Sequence, residues 1–266
     1  MTNRHATIAC TVAVLTRNSA QTLACALESV RDFAEIIVCD SGSTDETLAI
    51  AHTYGARVIS QDPQFLEPDG RIKNFAGVRN QTLSAATNVW FLFLDSDEYL
   101  GQELREEVAR VTEGEPGAFW IPRKYEHKGV IIDCSVAYPS QQMRLFHLSV
   151  AHTFIKEVHE KIELKKGIVP GWLNAAMIVP VPDTVEELRA KWRRYIEIER
   201  TRRTPTSVHA WIVPALKDVG IGARYALRLC LLLFCRGTRL PVSYEWARVW
   251  YQCLLLKESF ITINRV

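Results

Sequence analysis

No stretch of the 266-residue chain approaches the ~18 consecutive apolar residues of a membrane-spanning helix. Internal repeats and low-complexity tracts are also missing, so fibrous and disordered classes are excluded. The seven cysteines, Cys10, Cys25, Cys39, Cys134, Cys230, Cys235 and Cys253, are odd in number and show neither CxxC spacing nor a paired framework. Reduced, mostly buried thiols in a cytosolic setting are the expectation. Met1 to His5 include Arg4, but they run into a strand-like segment with no long apolar region and no small-residue cleavage site, so no secretory signal is expected.

What is present is ample apolar material: 48% of the residues are hydrophobic, enough for one large domain with an appendage. The formal net charge of +2 conceals an asymmetry. Residues 1–182 carry 17 Lys+Arg against 22 Asp+Glu, a net of −5, whereas residues 183–266 carry 15 against 8, a net of +7. The expected division is therefore a body over 1–182 and a basic helical region over 183–266. A basic tail of this kind suits an anionic surface, and a solvated helical face is the competing reading.

Thr7 to Leu15 is short, apolar and rich in β-branched residues, which reads as a strand buried on both faces. A polar turn and a helix over Gln21 to Val30 follow. The unit recurs as strand Glu35–Asp40, helix Thr47–Tyr54 and strand Ala56–Ser60, then as helix Arg71–Ala86 and strand Asn88–Asp95. This alternation implies an α/β fold with a mainly parallel sheet flanked by helices and ligands at the carboxyl ends of its strands. Beyond Pro116 the texture changes to short strand-like pieces. Helical, basic sequence fills Thr184–Arg203, about Ile221 to Cys235, and about Tyr244 to Phe260.

Two motifs carry chemistry. Asp95-Ser96-Asp97-Glu98 follows the apolar run Trp90–Leu94, and two carboxylates one residue apart at a strand exit can hold a divalent ion while leaving positions for phosphate oxygens. Asp97 as the cap of a helix near Gly101 is the plainer alternative. At the earlier strand end, in Cys39-Asp40-Ser41-Gly42-Ser43-Thr44-Asp45, Asp40 can accept from a base or ribose. Gly42 permits a tight turn there, and Ser43, Thr44 or Asp45 can cap the next helix.

With TVAVLTRN, VCDSGSTDET and GVRNQTLSAATNVWFLFLDSDE in this order, roughly the first hundred residues resemble the family 2 glycosyltransferases. Arg144-Leu145-Phe146 followed by Val158-His159-Glu160 is similar to the later motifs of enzymes that add glucose to the lipopolysaccharide inner core. The resemblance implies a GT-A catalytic domain over residues 1–182 and a nucleotide-diphosphate sugar donor, a UDP-sugar in the first place. Asp40 would then contact the nucleobase or ribose, with Thr16 and Arg17 lining the same pocket. Arg79 would reach the base or pyrophosphate, and Asp97 would ligate Mn²⁺ or Mg²⁺, with Asp95 holding the ribose or the metal. Lys73 is a looser match that reads equally as a solvated helix cation.

Many family 2 enzymes place an acidic pair where this chain has Val158-His159-Glu160. Glu160 is thus the first candidate for the base of an inverting displacement and His159 the second, against a plain polar turn. Arg144 could project toward phosphate oxygens or form a surface salt bridge. Trp172 and Tyr138 could stack on a sugar or fill core. A zinc site from His147, His152 and His159 lacks a fourth ligand at tight spacing.

The tail sets ALRLCLLLFC between Arg224, Arg228, Arg236 and Arg239, and then mixes Trp246, Trp250, Tyr251 and Leu254 with Arg248 and Lys257. Such helices suit peripheral attachment to an anionic membrane, with packing on the body as the alternative. The expected acceptor is a lipid-linked or core-oligosaccharide glycan on the cytoplasmic face. A polyprenyl-phosphate sugar synthase and a non-catalytic sugar-nucleotide-binding protein are the alternatives, and no nucleic-acid partner is expected.

Overall fold

The computed structural model describes residues 7–157, 160–202 and 208–263. The chain divides into two compact units, Met1–Arg123 with Ser140–Val179, and Lys124–Pro139 with Pro180–Val266.

In the first unit, β1 (Ile8–Thr16) lies between β2 (Phe33–Asp40) and β4 (Trp90–Asp95), with β3 (Arg57–Ser60) beyond β2, and all these pairings are parallel. Later in the chain come β5 (Tyr99–Leu100), β6 (Ala118–His127), whose last residues enter the second unit, β7 (Val130–Ile131) of the second unit, and β8 (Gln141–His147). The last strands are β9 (Ala151–Ile155), β10 (Lys161–Leu164), β11 (Gly171–Trp172) and β12 (Met177–Pro180). The main sheet runs β3-β2-β1-β4-β8-β6-β12-β5, with β8 antiparallel to both β4 and β6. This is the GT-A arrangement expected from the sequence, a mainly parallel sheet with an antiparallel extension.

Helices α1 (Leu23–Glu28), α2 (Thr47–Thr53), α3 (Phe75–Ala85) and α4 (Gln102–Thr112) belong to this unit. Alternation along β4 builds two cores at once. Leu92 and Leu94 join Val12, Val14, Leu23 and Leu104 on one side, while Phe91 and Phe93 join Ala13, Phe146 and Phe154 on the other. Asp95 continues the phase of Phe91 and Phe93, so strand periodicity alone delivers its side chain to the face that α3 covers.

The expected helix Arg71–Ala86 begins later, at Phe75, because Asn74 caps it by accepting from the Gly77 amide at 2.8 Å. Lys73 therefore sits in the preceding loop and is exposed, not on a helix face. Asp97 does not cap α4, whose N-cap is Gly101 with no side-chain bond.

The second unit holds α5 (Val185–Arg202), α6 (Val208–Leu231) and α7 (Val242–Ile263), with a small core of Ile132, Leu188, Leu240 and Tyr244. The guanidinium of Arg248 lies over the rings of Tyr125 and Trp192, and those of Arg189 and Arg193 lie over Trp250. Tyr251 packs against Trp192 with ring centroids 5.3 Å apart. Several of the interleaved cations and aromatics of the tail are thus paired inside the unit.

The cysteines depart from the expectation of mostly buried free thiols. Cys134 and Cys235 form a disulfide across a sequence separation of 101, a pairing invisible to any short spacing rule. Cys25, Cys230 and Cys253 are exposed, and only Cys10 and Cys39 are buried and free. Burial pushes both of these thiols up, Cys39 to about 12.

Candidate active site

Thr16, Asp40 and Asp95 end neighbouring strands. In the ladders Thr16 stands opposite Asp40, and Leu15 stands opposite Asp95. Parallel pairing therefore places both residues at the carboxyl edge of the sheet, their backbones about 10 Å apart across two strand spacings. This is where α/β sheets bind ligands.

Asp40 is 5% exposed and its oxygens are used locally. One accepts from the Gly42 and Ser43 amides, both at 2.8 Å, and the other from the hydroxyls of Thr16, at 3.0 Å, and Ser43. Gly42 holds φ of 80°, the left-handed turn that the amide bonds require. The next residues stitch this turn to the loop after β1: Asn18 donates its amide to Ser43 Oγ and accepts from the Thr44 amide, and Asp45 accepts from Ala20 and Thr47. Asp40 is thus the organiser of the turn as well as a candidate nucleotide contact.

Asp95 is satisfied from a distance. Arg79 on α3 donates to one oxygen at 2.6 Å, and Arg144 on β8 donates to the other at 2.8 Å. Both guanidiniums lie over the Phe93 ring, 4.5 and 4.7 Å from its centroid. Burial opposes ionisation of Asp95, yet the charges of Arg144 and Arg79 outweigh it and hold the carboxyl well below the usual carboxylate range.

The network extends further. Arg144 reaches Glu98 at 2.9 Å, Arg123 reaches Glu98 at 2.6 Å, and Arg79 Nε lies 3.4 Å from Glu160. Three cations thus face three carboxylates. Burial pushes Glu98 up, as does the neighbouring charge of Asp95, while Arg144 and Arg123 pull it down. Arg79 Nη1 is buried with no hydrogen-bond partner, so the network holds a cationic donor with capacity for one more acceptor.

The site residues expected from sequence fall into three groups. Thr16, Asp40, Arg79, Asp95, Asp97, Arg144 and Glu160 lie in this network or in the strand-end turns beside it. Arg144 is 1% exposed, which excludes the surface-salt-bridge reading. Arg17 and Lys73 are exposed, and Arg17 donates to the Asp69 carbonyl. His159 falls outside the described residues. Sequence reasoning missed Glu98 and Arg123 as members of the cluster, although Glu98 directly follows Asp97. It also missed Asn80, whose amide group bonds both backbone polar groups of Phe154 and fixes β9 to α3.

Arg79 and Arg144 each donate to one oxygen of Asp95, and no group of three His, Cys, Asp or Glu among the described residues could hold an ion alone. These residues fit an ion shared between Asp97 and a donor's diphosphate, the usual manner of Mg²⁺, and not an all-protein cage. A cleft of about 550 Å³ lies against α3, Phe65 and the β9 end; Asn80 lines it, and none of the site residues expected from sequence does.

An acidic strand-end motif braced by buried arginines thus stands at the carboxyl edge of a GT-A sheet. The chain belongs to glycosyl transferase family 2, whose family model matches residues 11–154. A TPR repeat-containing protein of Synechococcus elongatus is 30% identical over 211 residues, 77% of this chain and 48% of that protein. A Rickettsia felis protein described as an uncharacterized glycosyltransferase is 38% identical over 96 residues, 36% of this chain and 31% of that protein. The chain thus spans about half or less of the curated relatives it matches. Among solved structures, Staphylococcus aureus TarS is 18% identical with a TM-score of 0.44, covering 69% of this chain and 39% of that one. Mycobacterium tuberculosis glucosyl-3-phosphoglycerate synthase, solved with Mn²⁺, UDP and glucosyl-3-phosphoglycerate, is 25% identical with a TM-score of 0.35, covering 44% of each chain.

Proposed function

We propose that this glycosyltransferase is inverting and uses Mn²⁺ or Mg²⁺. In this reading it moves a sugar from a UDP-sugar to a hydroxyl of a lipopolysaccharide-core or other lipid-linked glycan at the cytoplasmic face of a membrane. The observation that carries the donor half is the convergence of Arg79 and Arg144 on Asp95, with Arg79 Nη1 buried and unsatisfied. Two fixed guanidiniums at a strand end suit a diphosphate and need no rearrangement as leaving-group charge develops. The Asp40 turn and Thr16 shape the nucleoside side, and Asp97 shares the ion with the diphosphate. That ion, when bound, neutralises the departing phosphates.

Glu160, tied to the same network through Arg79, is the base that takes the acceptor proton. The core-glycan acceptor follows from the likeness of Arg144–Phe146 and Val158–Glu160 to inner-core glucosyltransferases. Membrane attachment draws on exposed Leu227, Leu231, Leu233 and Phe234, the last 82% exposed, beside exposed Arg224, Arg236 and Arg239. No helix among the described residues is long and apolar enough to cross a membrane.

The test is release of UDP from a panel of UDP-sugars by the full chain. Release should require Mn²⁺ or Mg²⁺ and disappear in Asp97→Ala, and full turnover in chelator would remove the ion from the reading. Glu160→Gln should lower kcat by about 10²- to 10⁴-fold. An unchanged kcat would favour a phosphate acceptor, as in a polyprenyl-phosphate sugar synthase. Binding to anionic vesicles should weaken with salt, each exposed Arg contributing about 1 kcal/mol. Indifference to such vesicles at low salt would make these helices structural.

A further inference from the structure

The first unit carries a stacked indole pair that the arginine network does not use. Trp172 on β11 stands opposite Trp120 on β6 in a parallel ladder, with ring centroids 5.8 Å apart and planes 22° apart. Trp172 is 58% exposed. The pair is firmly built, since the Leu173 amide donates to the Trp120 carbonyl at 2.9 Å. Gly171 also lets β11 approach closely, because a Cβ there would stand 2.8 Å from the Phe119 ring. Burial cannot account for so large an apolar side chain left in water, and a rigid indole backed by a second one is a preformed flat surface.

Its position ties it to the candidate active site. Trp120 pairs with Met143, the residue before Arg144, and stands three residues before Arg123 on β6, roughly 10 Å of strand. Arg144 and Arg123 are the two cations that hold Glu98.

We propose that the face of Trp172 turned away from Trp120 is a stacking subsite for a pyranose ring of the acceptor glycan. This rests on the glycosyltransferase reading for the word acceptor, while the binding chemistry stands on its own. A pyranose whose hydroxyls are equatorial presents axial C–H groups on its flat faces. Those weakly positive hydrogens match the negative face of an indole, and the ring buries apolar area that its hydroxyls do not need. A charged or purely aliphatic ligand gains less from such a surface. Stacking of this kind contributes without any hydrogen bond, so it tolerates variation in the sugar and favours glycans over small polyols.

The test is saturation-transfer difference NMR on the full chain with methyl β-glucopyranoside as probe. The wild type should transfer saturation to the ring C–H protons. Trp172→Ala should lose most of that signal, Trp172→Phe should keep part of it, and Trp246→Ala, which removes another exposed indole, should keep it all. With an active acceptor, Trp172→Ala should raise the acceptor KM about tenfold and change kcat little. An undiminished signal in Trp172→Ala, or no signal in the wild type, overturns the proposal. UDP release measured in parallel separates the two readings: saturation transfer without release keeps the platform and removes the transferase role, and release without saturation transfer does the reverse.

Discussion

Asp40 and Asp95 close strands on either side of β1, yet the chain satisfies them in opposite ways. Asp40 is held by the two residues that follow Ser41 and by Thr16 across one ladder step, so its partners are backbone amides and hydroxyls. Asp95 is held by guanidiniums 16 positions before it and 49 positions after it. A turn built on local dipoles costs little to form and tolerates loss of one partner. A buried ion cluster depends on every member, because removing one leaves charges in low dielectric without compensation.

The comparison can be broken most forcefully at Arg144. Arg144→Met strips Asp95 and Glu98 of a shared partner and should destabilise the fold by about 3–5 kcal/mol in urea unfolding. A loss below about 1 kcal/mol would mean that the cluster is not held by its charges. Asp40→Ala should cost less, about 1–3 kcal/mol, since the orphaned groups are two amides and two hydroxyls at a strand end. Steady-state kinetics of the same variant should show a donor KM raised more than kcat is lowered, and equal losses in kcat and kcat/KM would move Asp40 to the reacting centre. Ser43→Ala removes one of four partners of Asp40, and calorimetry should register only about 0.5–1.5 kcal/mol.

The smallest effect is confined to acid. The folded-state carboxyl of Asp95 titrates below its unfolded value of about 3.9, so as pH falls the unfolded chain takes the proton first. The stability this provides is complete above about pH 4 and drains away below it. Asp95→Asn should therefore flatten the acid limb of a stability–pH curve relative to wild type. Because the side chain is 40% exposed, solvent screens the effect, and an unchanged limb would show that water has already replaced the arginines.

The same contrast explains what could be read from the sequence. The parallel units, both strand-end motifs and the Asp40 turn depend on spacing within a few residues, and they were legible. Leu104, Val108 and Val111 have the spacing of α4, the helix expected near Gly101. α6 begins at Val208, well before the expected start near Ile221, and it runs through Pro214. What spacing cannot show is convergence from afar. That Arg79 and Arg144 meet on one carboxylate, that Arg123 joins through Glu98, and that Cys134 finds Cys235 are facts of topology.

The discontinuity of the second unit also sets an order on biosynthesis. Residues Lys124–Pro139 leave the ribosome early, but the rest of their unit, Pro180–Val266, follows only after the first unit has been completed. At ~5–20 residues per second, Cys134 waits roughly 5–20 s for Cys235 to emerge. During that interval Ser135 and the Val136 amide lack Glu245, and Tyr125 lacks Arg248. A nascent chain arrested just short of residue 235 should therefore carry a protease-sensitive segment at 124–139 that vanishes once translation finishes.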